Sequence, residues 1–140
     1  MENLKINSSS LLKVAPLAAV VAAVINAVLY FIGDAIGLMD PSVGIPGPDG
    51  SLQPITLAPI IMSSVIPTLI AAGVLALLNR FTANPLRIYG IVTIVLFVVT
   101  LVNPFLGIPN LPLGMGIWLD VMHAVVAGVA WYAFSRYTKK

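Results

Sequence analysis

Residues 57–78 read LAPIIMSSVIPTLIAAGVLALL, a run without one ionisable side chain. The hydrocarbon core of a bilayer is crossed by about 20 consecutive apolar residues in an α-helix. This run meets that length. It does not alternate apolar with polar, and it is too long for a barrel strand. Backbone that crosses lipid must satisfy its own N–H and C=O groups, so a helix is the reading that remains.

Three further stretches qualify on either side: Leu11–Ile32, Leu86 to Val102 or Pro104, and Leu113–Phe134. Tyrosines apart, within the four spans only Lys13, Arg87, Asp120 and His123 are ionisable. Lys13 and Arg87 stand at span ends, where a long side chain snorkels to the interface. The expected fold is therefore all-α, a four-transmembrane-helix bundle forming one membrane domain over residues 1–140. Composition agrees: 59% of the chain is hydrophobic and 9% charged, against about 25% charged in a soluble domain. Lys residues precede span one, as in a signal peptide, but its apolar run exceeds a typical h-region and no small-x-small cleavage site follows. Span one is expected to be retained.

Charge sets the orientation. Lys5, Lys13, Arg80, Arg87, Arg136, Lys139 and Lys140 all fall on one side of this topology. Asp34, Asp40 and Asp49 fall in the first long loop on the other, and residues 103–112 there carry no charge. The positive-inside rule puts both termini in the cytoplasm. Phe81, Tyr89, Trp131, Tyr132 and Tyr137 would form an inner aromatic belt, and Tyr30, Phe31, Phe105 and Trp118 an outer one.

The segment Gly33–Thr56 is the one sizeable loop, rich in Pro and Gly, with a turn signal at Pro48-Asp49-Gly50. It is read as an irregular connector in preference to a short hairpin flanked by Val43, Ile45 and Leu52. The polar first ten residues are expected to be flexible or interfacial. The Asn7-Ser8-Ser9 sequon lies on the predicted cytoplasmic side and is dismissed.

Asp120 and His123 on span four carry the main chemical interest. Three residues apart, they share a helix face. An aspartate at this depth costs about 2.5–3.5 kcal/mol on insertion scales, so it should face the bundle and find a partner. Asn26, Ser63, Ser64, Thr68, Thr100 and Asn103 map to similar depth, and Asp34 caps the outer end of span one. Together they predict a polar pocket open to the outside and sealed by apolar residues towards the cytoplasm. Pro67 would free a carbonyl near Ser63, a local break of the kind that lines cavities.

Several readings of these residues stand. Asp120 and His123 neutralise each other, or hydrogen-bond Asn26 and Thr100 as interhelical glue, or handle a proton or solute. Metal binding is disfavoured, because one His and one Asp are two ligands where zinc needs three or four. Ser63 or Ser64 with His123 and Asp120 would supply triad residue types, but no nucleophile elbow is present. Ser and Thr in spans commonly bond back to their own helix. With no cysteine, thiolate chemistry and disulfides are excluded. No basic face marks nucleic-acid binding, and no cofactor motif is present. Small-xxx-small spacings (Gly33/Gly37, Ala18/Ala22, Ala72/Ala76, Ala124/Gly128) allow helix packing or self-association.

The run Leu75-Ala76-Leu77-Leu78-Asn79-Arg80, Arg87 before span three, Leu101-Val102-Asn103-Pro104, and Met122-His123-Ala124-Val125-Val126-Ala127 together resemble an uncharacterised family of small four-helix bacterial membrane proteins, a domain of unknown function. The resemblance covers about Met62 to Phe134. It implies four spans and a bacterial inner membrane, and it brings no activity. The functional expectation is a non-enzymatic accessory, assembly or small-ligand-binding protein, or alternatively a proton-coupled or ion transporter using Asp120 and His123. Its partners would be the lipid bilayer, and other membrane subunits or further copies of itself.

Overall fold

A computed structural model describes residues 5–140. Four long helices, α1 (Ser8–Ala35), α2 (Leu57–Phe81), α3 (Pro85–Gly107) and α4 (Leu113–Tyr137), are each long and apolar enough to cross a membrane. Each contains its expected span and extends it by a turn or less at most ends. α1 packs most extensively on α2 and α4, whereas α3 leans on α4 and only lightly on α2.

Local chemistry sets the ends. The Asn7 carboxamide oxygen caps α1, accepting from the N–H groups of Ser9 (3.0 Å) and Ser10 (3.4 Å). At the far end Gly37, with φ +75°, ends the helix in a Schellman motif. There the Leu38 N–H donates to the Gly33 carbonyl (2.8 Å) and the Gly37 N–H to the Asp34 carbonyl. Gly37 is thus a helix stop, with open space where a Cβ would stand, and its expected packing role with Gly33 is not realised.

The loop departs from the irregular connector expected. β1 (Gly44–Pro46) and β2 (Leu52–Pro54) pair as an antiparallel hairpin, Ile45 opposite Gln53. Proline is tolerated because a two-stranded ribbon has only edges. Met39, Val43 and Ile55 of this loop bury onto Ile60, Met115, Leu119 and Met122 of the helices, so the hairpin segment plugs one end of the bundle.

At the other end the described termini meet. Ile6 bridges Lys139, the Asn7 N–H donates to the Thr138 carbonyl (2.7 Å), and the fully buried Ile6 joins Leu11, Leu75, Leu86 and Phe134 in a second apolar cluster. Of the two alternatives expected for the first ten residues, flexible or interfacial, flexibility does not hold for Lys5–Asn7, which are tied down. Residues 1–4 lie outside the described residues. Tyr89 likewise leaves the aromatic belt predicted for it. It is buried, with its ring stacked on Trp131 at 5.9 Å between centroids.

Candidate functional site

Between the two apolar clusters lies a polar layer. Asn26 of α1 and Ser64 and Thr68 of α2 are all buried. The Asn26 carboxamide nitrogen donates to the Ser64 hydroxyl oxygen (2.9 Å) and to the Met122 carbonyl of α4 (3.1 Å). One side chain thus ties three helices, at a buried level of the bundle. Its own carbonyl oxygen is enclosed and receives no hydrogen bond.

Asp120 and His123 do not join this layer, and they form neither a hydrogen bond nor an ion pair with each other among the described residues. The His123 ring bonds back to its own helix, Nδ1 lying 2.8 Å from the Leu119 carbonyl. A carbonyl oxygen only accepts, so Nδ1 carries the proton and Nε2 is left free of that bond. One carboxylate oxygen of Asp120 is enclosed without a partner. Gly116 and Ala124, four residues to either side of Asp120, both face α3: Gly116 lies against the Phe105 ring, and Ala124 shares a groove with Thr93, Ile94 and Phe97. Asp120 therefore stands on the α3-facing stripe of α4. The carbonyl one turn back takes the imidazole proton, so no hydrogen bond joins the two side chains. The triad is likewise not assembled, since Nδ1 is taken and both Ser63 and Ser64 donate to the Ile60 carbonyl (3.0 and 2.8 Å).

His123 instead lies in a groove of about 390 Å³ between α2, α3 and α4, with Ser63, Pro67, Thr68, Phe97 and Thr100 along its walls. Its rims are the exposed Ile70 of α2 and Leu96 of α3, so it opens on the flank of the bundle. It exists because α3 stands off: Pro85, Leu86, Tyr89 and Gly90 bury one end and Pro104 the other, with no buried residue between. The loop plug of Met39, Val43 and Ile55 covers one end of the bundle, and polar access is lateral. Asn103 and Asp34 are exposed at the plugged end, away from both the groove and the buried layer.

Among the described residues no three His, Asp or Glu side chains gather as a metal-ligand set. In the loop, Asp40 and Asp49 sit below the usual carboxylate range. The causes are the Ser42 and Ser51 side chains respectively, followed by the N–H groups of the same serines, all bonding to one carboxylate oxygen.

Three polar anchors escaped the sequence reading. Asn79 at the end of α2 grips Ile6 twice, accepting from its N–H (3.0 Å) and donating to its carbonyl (3.1 Å), while Lys5 Nζ donates to the Asn79 carbonyl (2.8 Å). Trp118, assigned to the outer belt, donates Nε1–H to the Leu29 carbonyl of α1 (3.0 Å) over the bare face of Gly33. Thr138 is fully buried; its hydroxyl donates to the Phe134 carbonyl, and its own carbonyl accepts the Asn7 N–H. Each joins segments far apart in the chain, and only a polar residue in or near a helix end signals it.

These features define an apolar helical bundle with spans of membrane length, a stapled polar layer and a lateral groove. The chain belongs to the family of unknown function DUF6069, which matches residues 7–140. The match extends well beyond the residues 62–134 that carried the resemblance. No curated protein and no solved structure matches the chain.

Proposed function

We propose that this chain is a multi-pass protein of a bacterial cytoplasmic membrane, with both ends inside, that acts without catalysis as an accessory protein binding a small lipophilic ligand. The orientation is supported by the seven basic residues on the side of the termini and the α2–α3 connection. The observation that carries the ligand reading is the flank-opening groove, whose apolar walls converge on His123, Ser63 and Thr100. A concave, mostly apolar site with a few convergent polar groups is the usual form of a small-molecule site. Purification in native lipid followed by mass spectrometry should find a lipophile retained by the wild type and lost from Ala127→Phe, which fills the groove. Equal retention by both proteins counts against the reading.

A second reading, proton or ion handling, is favoured by the unpartnered enclosed oxygen of Asp120. Flux in liposomes separates the two. A transporter loses flux on Asp120→Asn while staying folded, whereas a binding protein shows none to lose.

A further inference from the structure

Four polar side chains of the groove share one property. The Ser63 hydroxyl donates to the Ile60 carbonyl (3.0 Å), Thr68 to the Ser64 carbonyl (2.7 Å) and Thr100 to the Phe97 carbonyl (2.8 Å). Each has committed its only proton to its own helix, which leaves oxygen lone pairs for the groove. His123 has likewise committed Nδ1–H to Leu119, so in the ring's neutral form Nε2 is an acceptor.

Two prolines add to this. Pro67 stands four residues after Ser63, and Pro104 four residues after Thr100. Each lacks the N–H that a regular helix would present to the carbonyl four residues back. The carbonyls of Ser63 and Thr100 thus lose their helical donors on two residues that already line the groove. Ser63 and Thr100 lie roughly two turns inside the plugged ends of their helices, and Thr68 and His123 roughly three turns inside theirs. The four form a belt at neighbouring depths. The groove's other hydroxyl residues, Tyr89 and Thr93, lie roughly two to three turns further along α3 from Thr100, towards the termini.

We propose that the groove takes a neutral lipophilic molecule whose polar head is a hydrogen-bond donor, an alcohol or a phenol, with its apolar body lying between α2 and α3. This rests on the lipophile-binding reading above and adds the class of head group. The belt has acceptors to spare and no free donor. No lysine or arginine lines the groove, so a carboxylate or phosphate head would meet lone pairs alone. A cationic head would find acceptors but no counter-charge, because Asp120 does not line the groove.

The test uses the full chain in lipid nanodiscs and three photoreactive probes of one chain length: a long-chain alcohol, the matching carboxylic acid and the matching trimethylammonium. Crosslinks are mapped by mass spectrometry with and without excess unlabelled alcohol. The alcohol should label α2 and α3 residues of the groove saturably, and several-fold more than either charged probe. Losing one neutral hydrogen bond should weaken it by about threefold to tenfold. Ser63→Ala with Thr100→Val removes two hydroxyls with little change of shape, and His123→Phe removes Nε2. Either should reduce alcohol labelling without raising acid labelling, and circular dichroism and monodispersity identify the variant that keeps the fold. Saturable labelling by the acid or ammonium probe equal to that of the alcohol overturns the head-group assignment and leaves lipophile binding standing. Labelling of the groove by no probe, or only unsaturable labelling by all three, overturns both.

Discussion

Replacing Asn26 by leucine and by aspartate separates what its side chain gives from what it costs. Asn26 donates two interhelical bonds, at 2.9 and 3.1 Å, and leaves its own oxygen enclosed and unpaired. Interhelical hydrogen bonds in membranes average about 0.6 kcal/mol, so Asn26→Leu forfeits about 1.2 kcal/mol. It also removes a buried orphan acceptor, a group that costs about 1–3 kcal/mol when left unpaired. The two effects oppose, and the leucine variant should lie within about 1 kcal/mol of the wild type, its partners remaining bonded within their own helices. Asn26→Asp removes both donors and keeps the acceptors. Its oxygens would face the Ser64 hydroxyl, whose proton is committed to Ile60, and the Met122 carbonyl. Acceptor against acceptor at two contacts, with a charge added, should cost about 3 kcal/mol or more. The variants should differ by about 2–4 kcal/mol, roughly 30- to 900-fold in the unfolding equilibrium. Equilibrium unfolding by SDS in bicelles at neutral pH, followed by far-UV circular dichroism, measures this. Equal destabilisation by leucine and aspartate would refute the donor argument.

Gly33→Ala should cost about 1–2 kcal/mol, since an added Cβ would stand 2.5 Å from Trp118 Nε1 and force the indole off the Leu29 carbonyl. In a Trp131→Phe background the change should appear as a shift in Trp118 emission. Asn79→Ala leaves the Ile6 N–H and carbonyl without their side-chain partners. Hydrogen exchange at Ile6 and Asn7 should quicken while exchange at the plugged end stays unchanged. Asp40 and Asp49 have lowered pKa values in the folded loop, so their contribution is full above the ordinary carboxylate pKa of about 3.9 and is lost as pH falls through the lower folded values. Carboxyl chemical shifts should therefore titrate below the usual range, and Ser42→Ala or Ser51→Ala should move the neighbouring aspartate part of the way back, since the backbone N–H bond remains.

The spans were legible because hydropathy over twenty residues is a physical requirement of crossing lipid, and residues 57–78 meet it unaided. The partners of the polar residues were not. Asn26 and Ser64 were both identified, yet nothing in their spacing specified that Met122 rather than Asp120 or Thr100 would complete the contact. The i, i+3 spacing of Asp120 and His123 put them on one face, but spacing says nothing of the Leu119 carbonyl, which competes for the imidazole from one turn back. Asn79 and Ile6 are joined across 73 positions, a contact that only the folded topology creates. The hairpin was hidden by Pro46 and Pro54, which argue against strands in any sheet having an interior.

The groove itself was illegible for a deeper reason. Lipid is as apolar as a protein core, so hydropathy does not distinguish a residue that packs from one that faces acyl chains. α3 is predominantly apolar along its length, yet it holds to α4 at two places where one partner is glycine. Gly90 admits the Trp131 ring near one end, and Gly116 of α4 admits the Phe105 ring near the other. Close approach at both ends with ordinary side chains between them leaves the middle of α3 standing off α2. Ser63 and Thr100, each followed four residues on by a proline, sit on the facing walls of that gap. A helix held by its ends, with acceptors bared in the middle, suits a site that a lipid-soluble molecule enters sideways. The same features would be costly in a bundle built for stability alone, because carbonyls that lose their helical donors and an unfilled groove both subtract from it.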